Sequence, residues 1–283
     1  MAKSYVERYR VAPGSRVRLH EIDPDHTGGH EKKKDAQDEI ARDEDALRRL
    51  QYLLYAQHEH ALLIVLQGMD ASGKDGTVRH VFGAVNPQGV SVRSFKVPTP
   101  EEADHDFLWR IHPHVPGKGE VAIFNRSHYE DVTVPRVHRT VPEHVWRERY
   151  EIIRGFEHGL VAAGTTVLKF FLHISPEEQL ARFEARLDDP DRRWKISEAD
   201  YAERAFFPRY VEAYEDAISA TSTDEAPWFV IPANHKWYRN LAVARIVVEM
   251  LEGLKMSFPP PTVDLDEIRR KYHEAAHPST SSR

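Results

Sequence analysis

The stretch that decides the fold is Ala61–Gly76, ALLIVLQGMDASGKDG, in which an apolar run leads directly into a glycine-rich loop. The run Ala61–Gln67 is typical of a strand in a parallel sheet, because such a strand is buried on both faces and shows no polar alternation. The loop Gly68–Gly76 contains G-x-x-x-x-G-K, whose glycines let backbone N–H groups wrap a phosphate where a helix begins. A helix is expected to start near Lys74, which would contact phosphoryl oxygens as a point charge. From the loop alone, a strand-to-helix turn without a ligand stays open as an alternative.

Two carboxylates distinguish this loop from the usual pattern. Asp75 stands where a Ser or Thr hydroxyl normally ligates Mg²⁺, and Asp70 lies inside the loop. A carboxylate beside a phosphate is repulsive unless a cation lies between them, and Mg²⁺ accepts carboxylate and phosphate oxygens together. Asp70 is therefore a candidate metal ligand. For Asp75 we expect a favourable charge in the first turn of the helix, while contact with a metal stays open.

The rest of the chain alternates apolar strands with helices, which predicts an α/β fold with a mostly parallel five-stranded sheet and helices on both faces. In such sheets ligands bind at the carboxyl ends of the strands, so the loops after strands one, three and four should meet. The other strands are predicted at 90–95, 120–125, 165–174 and 228–231, and helices at 31–58, 100–111, 142–163, 197–220 and 235–254, with further helices opening near Lys74 and Ser175.

Pattern changes along the chain predict three parts. Residues 1–58 form an irregular N-terminal arm and a helix packed on the core, and residues 59–258 form the catalytic domain, with a lid at about 182–205. Residues 259–283 form a C-terminal tail, whose last positions, 277–283, are expected to be disordered.

Composition excludes several classes of function. The chain has 283 residues and no cysteine, so disulfides, thiolate catalysis and cysteine-based zinc sites are excluded. Its net charge of −6 gives no overall attraction for DNA or another polyanion, so a polyanion site must come from local clusters of Arg and Lys. No apolar run is long enough to span a bilayer, and no signal peptide is recognised. We therefore expect a cytoplasmic protein with no DNA or membrane partner.

A second motif is Ile123–Val132, IFNRSHYEDV, where an apolar strand delivers polar residues at its carboxyl end. Asn125 can ligate a metal through its oxygen, and Arg126 can neutralise charge that develops on a transferred phosphoryl group. Glu130 could orient metal-bound water or assist deprotonation of the nucleophile. The alternative for this motif alone is a simple ion pair between Arg126 and Glu130.

A third motif is Ala181–Ser197, ARFEARLDDPDRRWKIS, in which basic residues alternate with acids. The segment after Arg186 is charged and contains a proline, and it is typical of a lid that closes on phosphates and excludes water. Lys195 lies near its end. A solvated charged surface is the alternative, because that is the usual role of such runs.

Together these segments resemble the polyphosphate kinase 2 family, with further matches at VNPQGVSVRSFKVPTPEEADHDFLWRIHPHVPGKGEVAIFNRSHYEDV and WFVIPANHKWYRN. The resemblance covers the chain from about residue 30 to 255. It implies a three-layer P-loop kinase-like fold with a helical lid. It also implies phosphoryl transfer between inorganic polyphosphate and AMP, ADP or ATP with Mg²⁺ or Mn²⁺, by a homo-oligomer that is often a tetramer.

The resemblance also implies roles for individual residues. Many family members carry F-D-R-S where this chain has Phe124–Ser127, FNRS, which resembles the class III subgroup that phosphorylates both AMP and ADP. The expected catalytic residues are Asp70, Lys74, Asn125, Arg126 and Glu130, of which Asp70, Asn125 and Glu130 would hold the metal. The expected phosphate contacts are Gly73, Lys74, Gly76, Arg79, Arg126, Arg136, Arg139, Arg186 and Lys195.

Recognition of the nucleobase is harder to assign from sequence. The residues expected near the acceptor are Phe95, Trp109, Arg110 and Val132, and packing is their simplest role. Two other functions stay open at this point: an ATP-dependent kinase of the same fold, and a polyphosphate- or RNA-binding module without catalysis. The missing hydroxyl after Lys74 disfavours the first, and the carboxylates beside the basic groups disfavour the second.

Overall fold

The computed structural model describes residues 3–277; the disorder predicted for 277–283 concerns, apart from His277, residues outside this range. The strands are β1 (Ala61–Gln67), β2 (Val90–Ser94), β3 (Val121–Asn125), β4 (Thr165–His173) and β5 (Trp228–Pro232). The helices are α1 (Tyr5–Tyr9), α2 (Gln37–Gln57), α3 (Lys74–Val81), α4 (Pro100–Asp104), α5 (Glu130–His138), α6 (Glu143–Ala162), α7 (Pro176–Asp188), α8 (Glu198–Arg204), α9 (Phe207–Thr221), α10 (Lys236–Gly253) and α11 (Leu265–Ala276).

All strands of the sheet are parallel, in the order β2-β3-β1-β4-β5. β1 lies at the centre, where Leu66 pairs with Asn125 of β3 on one side and with Phe170 of β4 on the other. The α/β class and the five-stranded parallel sheet are therefore confirmed. The strands β2 and β3 lie on one side of β1, and β4 and β5 lie on the other. The loops after β1, β3 and β4 therefore meet at the edge where such sheets bind ligands.

Helices cover both faces of the sheet, which explains the continuous apolar run that opened the sequence analysis. α2, α3 and α10 pack together on one face, whereas α5, α6 and α9 pack together on the other. Every residue of β1 is buried, because a central strand between two helical layers has no solvent-facing side.

One ion pair lies inside this core. Lys169 of β4 and Glu157 of α6 are both fully buried, and Lys169 Nζ lies 2.5 Å from Glu157 Oε2. The Tyr129 hydroxyl donates to Glu157 Oε1 at 2.9 Å. The pair and Tyr129 thus connect β4 and α6 with the segment that leads into α5.

The N-terminal arm covers the exposed edge of β5. Arg10 forms an antiparallel bridge with Phe229, and the Val11 N–H donates to the Trp228 carbonyl at 2.8 Å. Covering an edge strand in this way removes a row of unpaired backbone groups. The arm was expected to be irregular, but it contains the short helix α1, capped by Ser4 and Glu7.

The predicted helix 100–111 is wrong beyond Asp104. The chain becomes extended at His105, and the following residues up to Ile111 form turns. In these turns Arg110 is buried and donates to the Lys96 carbonyl (2.7 Å) and to Asp131 (2.8 Å). The backbone makes local turn bonds instead of a helical ladder, such as Trp109 N–H to the Asp106 carbonyl, and the buried Arg110 guanidinium is paired with groups distant in sequence.

The predicted helix 197–220 is two helices, α8 and α9, separated at Ala205 and Phe206. Pro208 lies in the first turn of α9, where its missing N–H is tolerated but a continuous helix from α8 is not. The helix α5 was not predicted, because Pro135 lies inside it and breaks the sequence pattern.

Candidate active site

The loop between β1 and α3 is shaped by side chains that hold its carbonyl groups. Lys74 Nζ donates to the carbonyls of Gly68 (2.7 Å) and Met69 (3.2 Å). Gln179 of α7 donates to the Asp70 carbonyl at 3.0 Å. Arg182, one turn further along α7, donates to the carbonyls of Ala71 and Ser72, each at 2.8 Å.

Every carbonyl from Gly68 to Ser72 is thus bound by a side-chain donor. The negative ends of these peptide groups are occupied, and the loop leads into the N-terminus of α3, where free N–H groups favour an anion. The arrangement supports the phosphate-binding interpretation of the motif over a turn without a ligand.

A buried arginine of α10 packs against the glycines of the loop. Arg239 is 2% exposed, and its Nη1 donates to the Ser72 carbonyl at 3.2 Å. Gly73 has φ +104°, and a Cβ there would lie 1.8 Å from Arg239 Nη1. The loop therefore requires glycine at this position both for its backbone conformation and for the space that the guanidinium fills.

The carboxylates and the arginine of the first two motifs meet beside the loop. Arg126, at the end of β3, places Nη2 2.6 Å from Asp70 Oδ1 and Nη1 3.5 Å from Glu130 Oε2. The ion pair between Arg126 and Glu130, an alternative from sequence, is present, but Asp70 shares the same guanidinium. Burial raises the pKa of Glu130, although Arg126 and Lys74 oppose the shift.

Lys74 is itself buried and lies close to Arg126. Burial, followed by the charge of Arg126, lowers the pKa of Lys74 to about 8, although the nearby carboxylates oppose the shift. Lys74 is therefore an ammonium group whose charge is sensitive to the anions around it, which suits a residue that holds phosphate.

Asp75 has contacts that the sequence analysis did not anticipate. It lies in the first turn of α3, as expected, but its Oδ1 accepts a hydrogen bond from Asn125 Nδ2 at 2.7 Å. Its Oδ2 lies 3.3 Å from Lys195 Nζ. Although burial opposes the shift, bonds from Asn125 and Lys195 lower the pKa of Asp75.

The donors expected to hold a divalent cation fit Mg²⁺ or Mn²⁺. Asp70 and Glu130 both approach the guanidinium of Arg126. Asn125, the last residue of β3, directly precedes Arg126. Among residues 3–277 no cluster of three or more His, Cys, Asp and Glu side chains could form an all-protein metal cage. Two carboxylates and an amide oxygen instead match Mg²⁺, which takes its remaining ligands from phosphate and water.

The chain matches one family over most of its length. Residues 30–259 match the family described as Polyphosphate kinase 2. This chain belongs to the polyphosphate kinase 2 family.

Two relatives and one crystal structure are similar to this chain over more than 90% of its length. It is 54% identical over 264 residues to an AMP/ADP-polyphosphate phosphotransferase of Meiothermus ruber, with 93% of this chain and 99% of that protein covered. It is 41% identical over 272 residues to an ADP-polyphosphate phosphotransferase of Rhodopseudomonas palustris, with 92% and 94% covered. The crystal structure of polyphosphate kinase 2 from Arthrobacter aurescens TC1 is similar with a TM-score of 0.93, 44% identity and coverage of 96% and 98%.

The third motif of this polyphosphate kinase 2, Ala181–Ser197, lies next to the loop. Arg186 of α7 donates to the Lys195 carbonyl at 3.3 Å, and Lys195 contacts Asp75. Arg79 is exposed one helical turn after Asp75, on the same face of α3. Lys195 thus contacts the first turn of α3, and a phosphate contact for Arg186, Lys195 or Arg79 stays a prediction.

Arg136 and Arg139 do not join this group. Arg136 pairs with Asp216 at 2.7 Å and lies over the ring of Trp146. Arg139 ends α5 with φ +55°. At about 1.5 Å per residue, the two lie roughly 9 and 13 Å along α5 from Glu130. A phosphate contact for either residue stays a prediction.

The residues expected near the acceptor base mostly pack in the interior. Phe95 contacts Phe124, Arg110 pairs with Asp131, and Val132 is buried. Only Trp109 of the four is substantially exposed, stacked on His105 at 4.2 Å between ring centroids.

Gln179, Arg182 and Arg239 hold the carbonyls of the loop, and the sequence analysis did not select them as site residues. Arg182 was grouped with the charged lid, yet it also donates to the Ala233 and Asn234 carbonyls at 2.5 and 2.9 Å. The available signal was the position of Gln179 and Arg182 three residues apart, on one face of a helix that starts at the sheet edge.

Among residues 3–277 no helix is long and apolar enough to cross a membrane.

Proposed function

We propose that this chain transfers phosphoryl groups from inorganic polyphosphate to AMP and ADP, producing ADP and ATP, with Mg²⁺ or Mn²⁺. Membership of the polyphosphate kinase 2 family supports polyphosphate as the donor. The relative named for both AMP and ADP, together with Asn125 in place of the commoner aspartate, supports the breadth of acceptors. The observation that carries the proposal is the joint contact of Arg126 with Asp70 and Glu130 beside the loop.

The donor phosphate chain binds at the loop and the N-terminus of α3. Lys74 lies at the loop with its Nζ on carbonyls, and a bound phosphate offers it stronger, charged acceptors. Arg186, Lys195 and Arg79 extend the positive surface along the chain. Lid closure excludes water, which would otherwise accept the phosphoryl group and waste the donor.

In the reaction, a terminal phosphate oxygen of AMP or ADP attacks the terminal phosphorus of polyphosphate. The bond between that phosphorus and the next bridging oxygen breaks, and a chain one phosphate shorter leaves. Arg126 exchanges its carboxylate partners for phosphoryl oxygens and neutralises the charge that develops on them. Both directions use the same contacts, so the reaction is reversible.

Asp70, Glu130 and Asn125 would hold the divalent cation. When bound, the cation offsets repulsion between the anionic donor and acceptor. The cation would neutralise Asp70 and Glu130, which Arg126 contacts in this structure, and Arg126 would then be available to the phosphoryl group.

The test is an assay of purified protein with Mg²⁺, polyphosphate and either AMP or ADP, with no ATP added. We expect ADP and ATP to appear in the AMP reaction and ATP in the ADP reaction. Absence of new nucleotide would refute the proposal. Turnover with ATP and a nucleotide acceptor alone would favour the ATP-dependent kinase, and salt-sensitive polyphosphate binding without products would favour a binding module.

We also propose a cytoplasmic homo-oligomer, with a tetramer as the expected form. The family resemblance supports this assembly. Analytical ultracentrifugation of the purified chain measures it directly, and a monomer at micromolar concentration would contradict it.

A further inference from the structure

The two departures from the usual motifs, Asp75 and Asn125, are in direct contact. They lie 50 positions apart in sequence, yet Asn125 Nδ2 donates to Asp75 Oδ1 at 2.7 Å. The parallel register of β1 and β3 places Asn125 opposite Leu66, and α3 begins just after the loop that follows β1. Two substitutions that look independent in sequence are therefore neighbours at the same edge of the sheet.

This contact determines which end of the Asn125 amide is available to another partner. An amide has a donor end and an acceptor end of nearly equal size, so only its partners distinguish them. An ionised carboxylate only accepts, so Asp75 binds the NH₂ end. Within residues 3–277, Asn125 Oδ1 accepts no hydrogen bond, and it is the atom that a hard cation prefers.

The same contact suits an amide at position 125 better than a second carboxylate. An aspartate at position 125 would bring a second carboxylate to within hydrogen-bond distance of Asp75, where like charges repel. With Asn125, the one carboxylate of this pair is that of Asp75 on α3, and the end of the strand offers a neutral amide oxygen.

We propose that Asp75 is a positioning residue that holds the Asn125 amide with Oδ1 directed towards the cation site of Asp70 and Glu130. The inference rests on the proposed function, since that function supplies the cation. It assigns to Asp75 a role through Asn125 rather than direct contact with the metal or simple stabilisation of a helix. Outer partners of this kind commonly change metal affinity by about 10- to 100-fold when removed.

The test uses Mn²⁺ as the probe, measured by the loss of its free-ion paramagnetic resonance signal when protein is added, without phosphate compounds, which would themselves bind the ion. Asp75→Asn should weaken Mn²⁺ binding by about 10-fold or more, because the amide can then turn either way. Asp75→Glu keeps the charge but displaces the carboxylate, so it should weaken binding several-fold. If Asp75→Glu binds Mn²⁺ like the wild type, a general charge effect replaces positioning and the proposal fails.

The exchanged pair, Asp75→Asn with Asn125→Asp, is the matched control. It re-forms the contact with donor and acceptor reversed at unchanged net charge, so Mn²⁺ affinity should return to within about threefold of wild type. Asn125→Asp alone should lower the melting temperature without metal, and the exchanged pair should recover it. A double variant as impaired as Asp75→Asn would overturn the proposal.

The ion pair with Lys195 provides a second control. Lys195→Met removes the Lys195 contact of Asp75 but leaves the Asn125 contact, so the same measurement separates the two partners of Asp75. A loss as large as that of Asp75→Asn would show that Asp75 acts through the lid. Because these readouts do not involve turnover, their failure is distinguishable from failure of the phosphotransferase assay.

Discussion

The buried ammonium of Lys74 makes donor binding depend on pH. Lys74 is 8% exposed, and burial followed by the charge of Arg126 lowers its pKa to about 8 from an ordinary 10.5. At about 1.36 kcal/mol per pH unit, this difference means that the free protein opposes the charged form by about 3 kcal/mol. Polyphosphate binds the charged form, so binding must hold a proton that the free site starts to lose near pH 8.

The magnitude and the sign of the effect follow from this pKa. The charged fraction of Lys74 is about one half at pH 8 and approaches a tenfold fall per pH unit above it, so kcat/KM for polyphosphate should fall about 15-fold between pH 8 and 9.5. Stability without donor should change in the opposite direction. Between pH 8 and 10.5 the unfolded chain still holds the Lys74 proton that the folded chain has lost. The free energy of unfolding should therefore rise by up to about 3 kcal/mol across this range.

The assay compares wild type with Lys74→Arg, whose guanidinium stays charged over the whole range. The variant should have a lower but flatter profile between pH 7 and 9.5. For stability, the free energy of unfolding of the wild type should rise relative to that of Lys74→Met between pH 8 and 10.5. An equal fall of kcat/KM in Lys74→Arg, or a flat profile in wild type, would refute the assignment.

Three further predictions concern the loop, the core and the lid. Arg182→Met should lower the free energy of unfolding by about 3–5 kcal/mol in urea titrations, because buried carbonyls lose their donor; a loss below about 1 kcal/mol would contradict the role given to Arg182. Lys169→Met alone should cost about 3–5 kcal/mol by leaving Glu157 charged in the core, and adding Glu157→Leu should recover most of it, whereas equal losses would argue against a buried ion pair. Trp194, 78% exposed in the predicted lid, should change fluorescence when polyphosphate binds, and Trp194→Phe should abolish the change; an unchanged signal in that variant would place the moving group elsewhere.

Much of the fold was predictable because its signals are local. The continuous apolar run of β1 reflects burial between two helical layers, and the glycine pattern reflects backbone positions that only glycine fills easily. The predictions failed where a residue found its partner far away in sequence. Arg110 is the clearest case, because its bonds to Lys96 and Asp131 hold turns where the sequence favoured a helix.

Site residues were predictable by type but not by arrangement. Asp70, Arg126 and Glu130 were selected as chemical groups, and the structure brings them together. Arg182 was grouped with the charged lid and Arg239 was not selected, because residue type alone does not show whether an arginine binds backbone carbonyls or lies in solvent. Their role depends on burial, which neighbouring helices create.

The sequence by itself determined the fold class, the phosphate-binding loop and the family, since all three depend on residue types at short and fixed spacing. Only the tertiary structure decided the pairs, above all Asp70 with Arg126 and Asp75 with Asn125. The physical reason is the strand register. Hydrogen bonding of β1 to β3 places residues more than forty positions apart at one sheet edge, and no local spacing encodes that proximity.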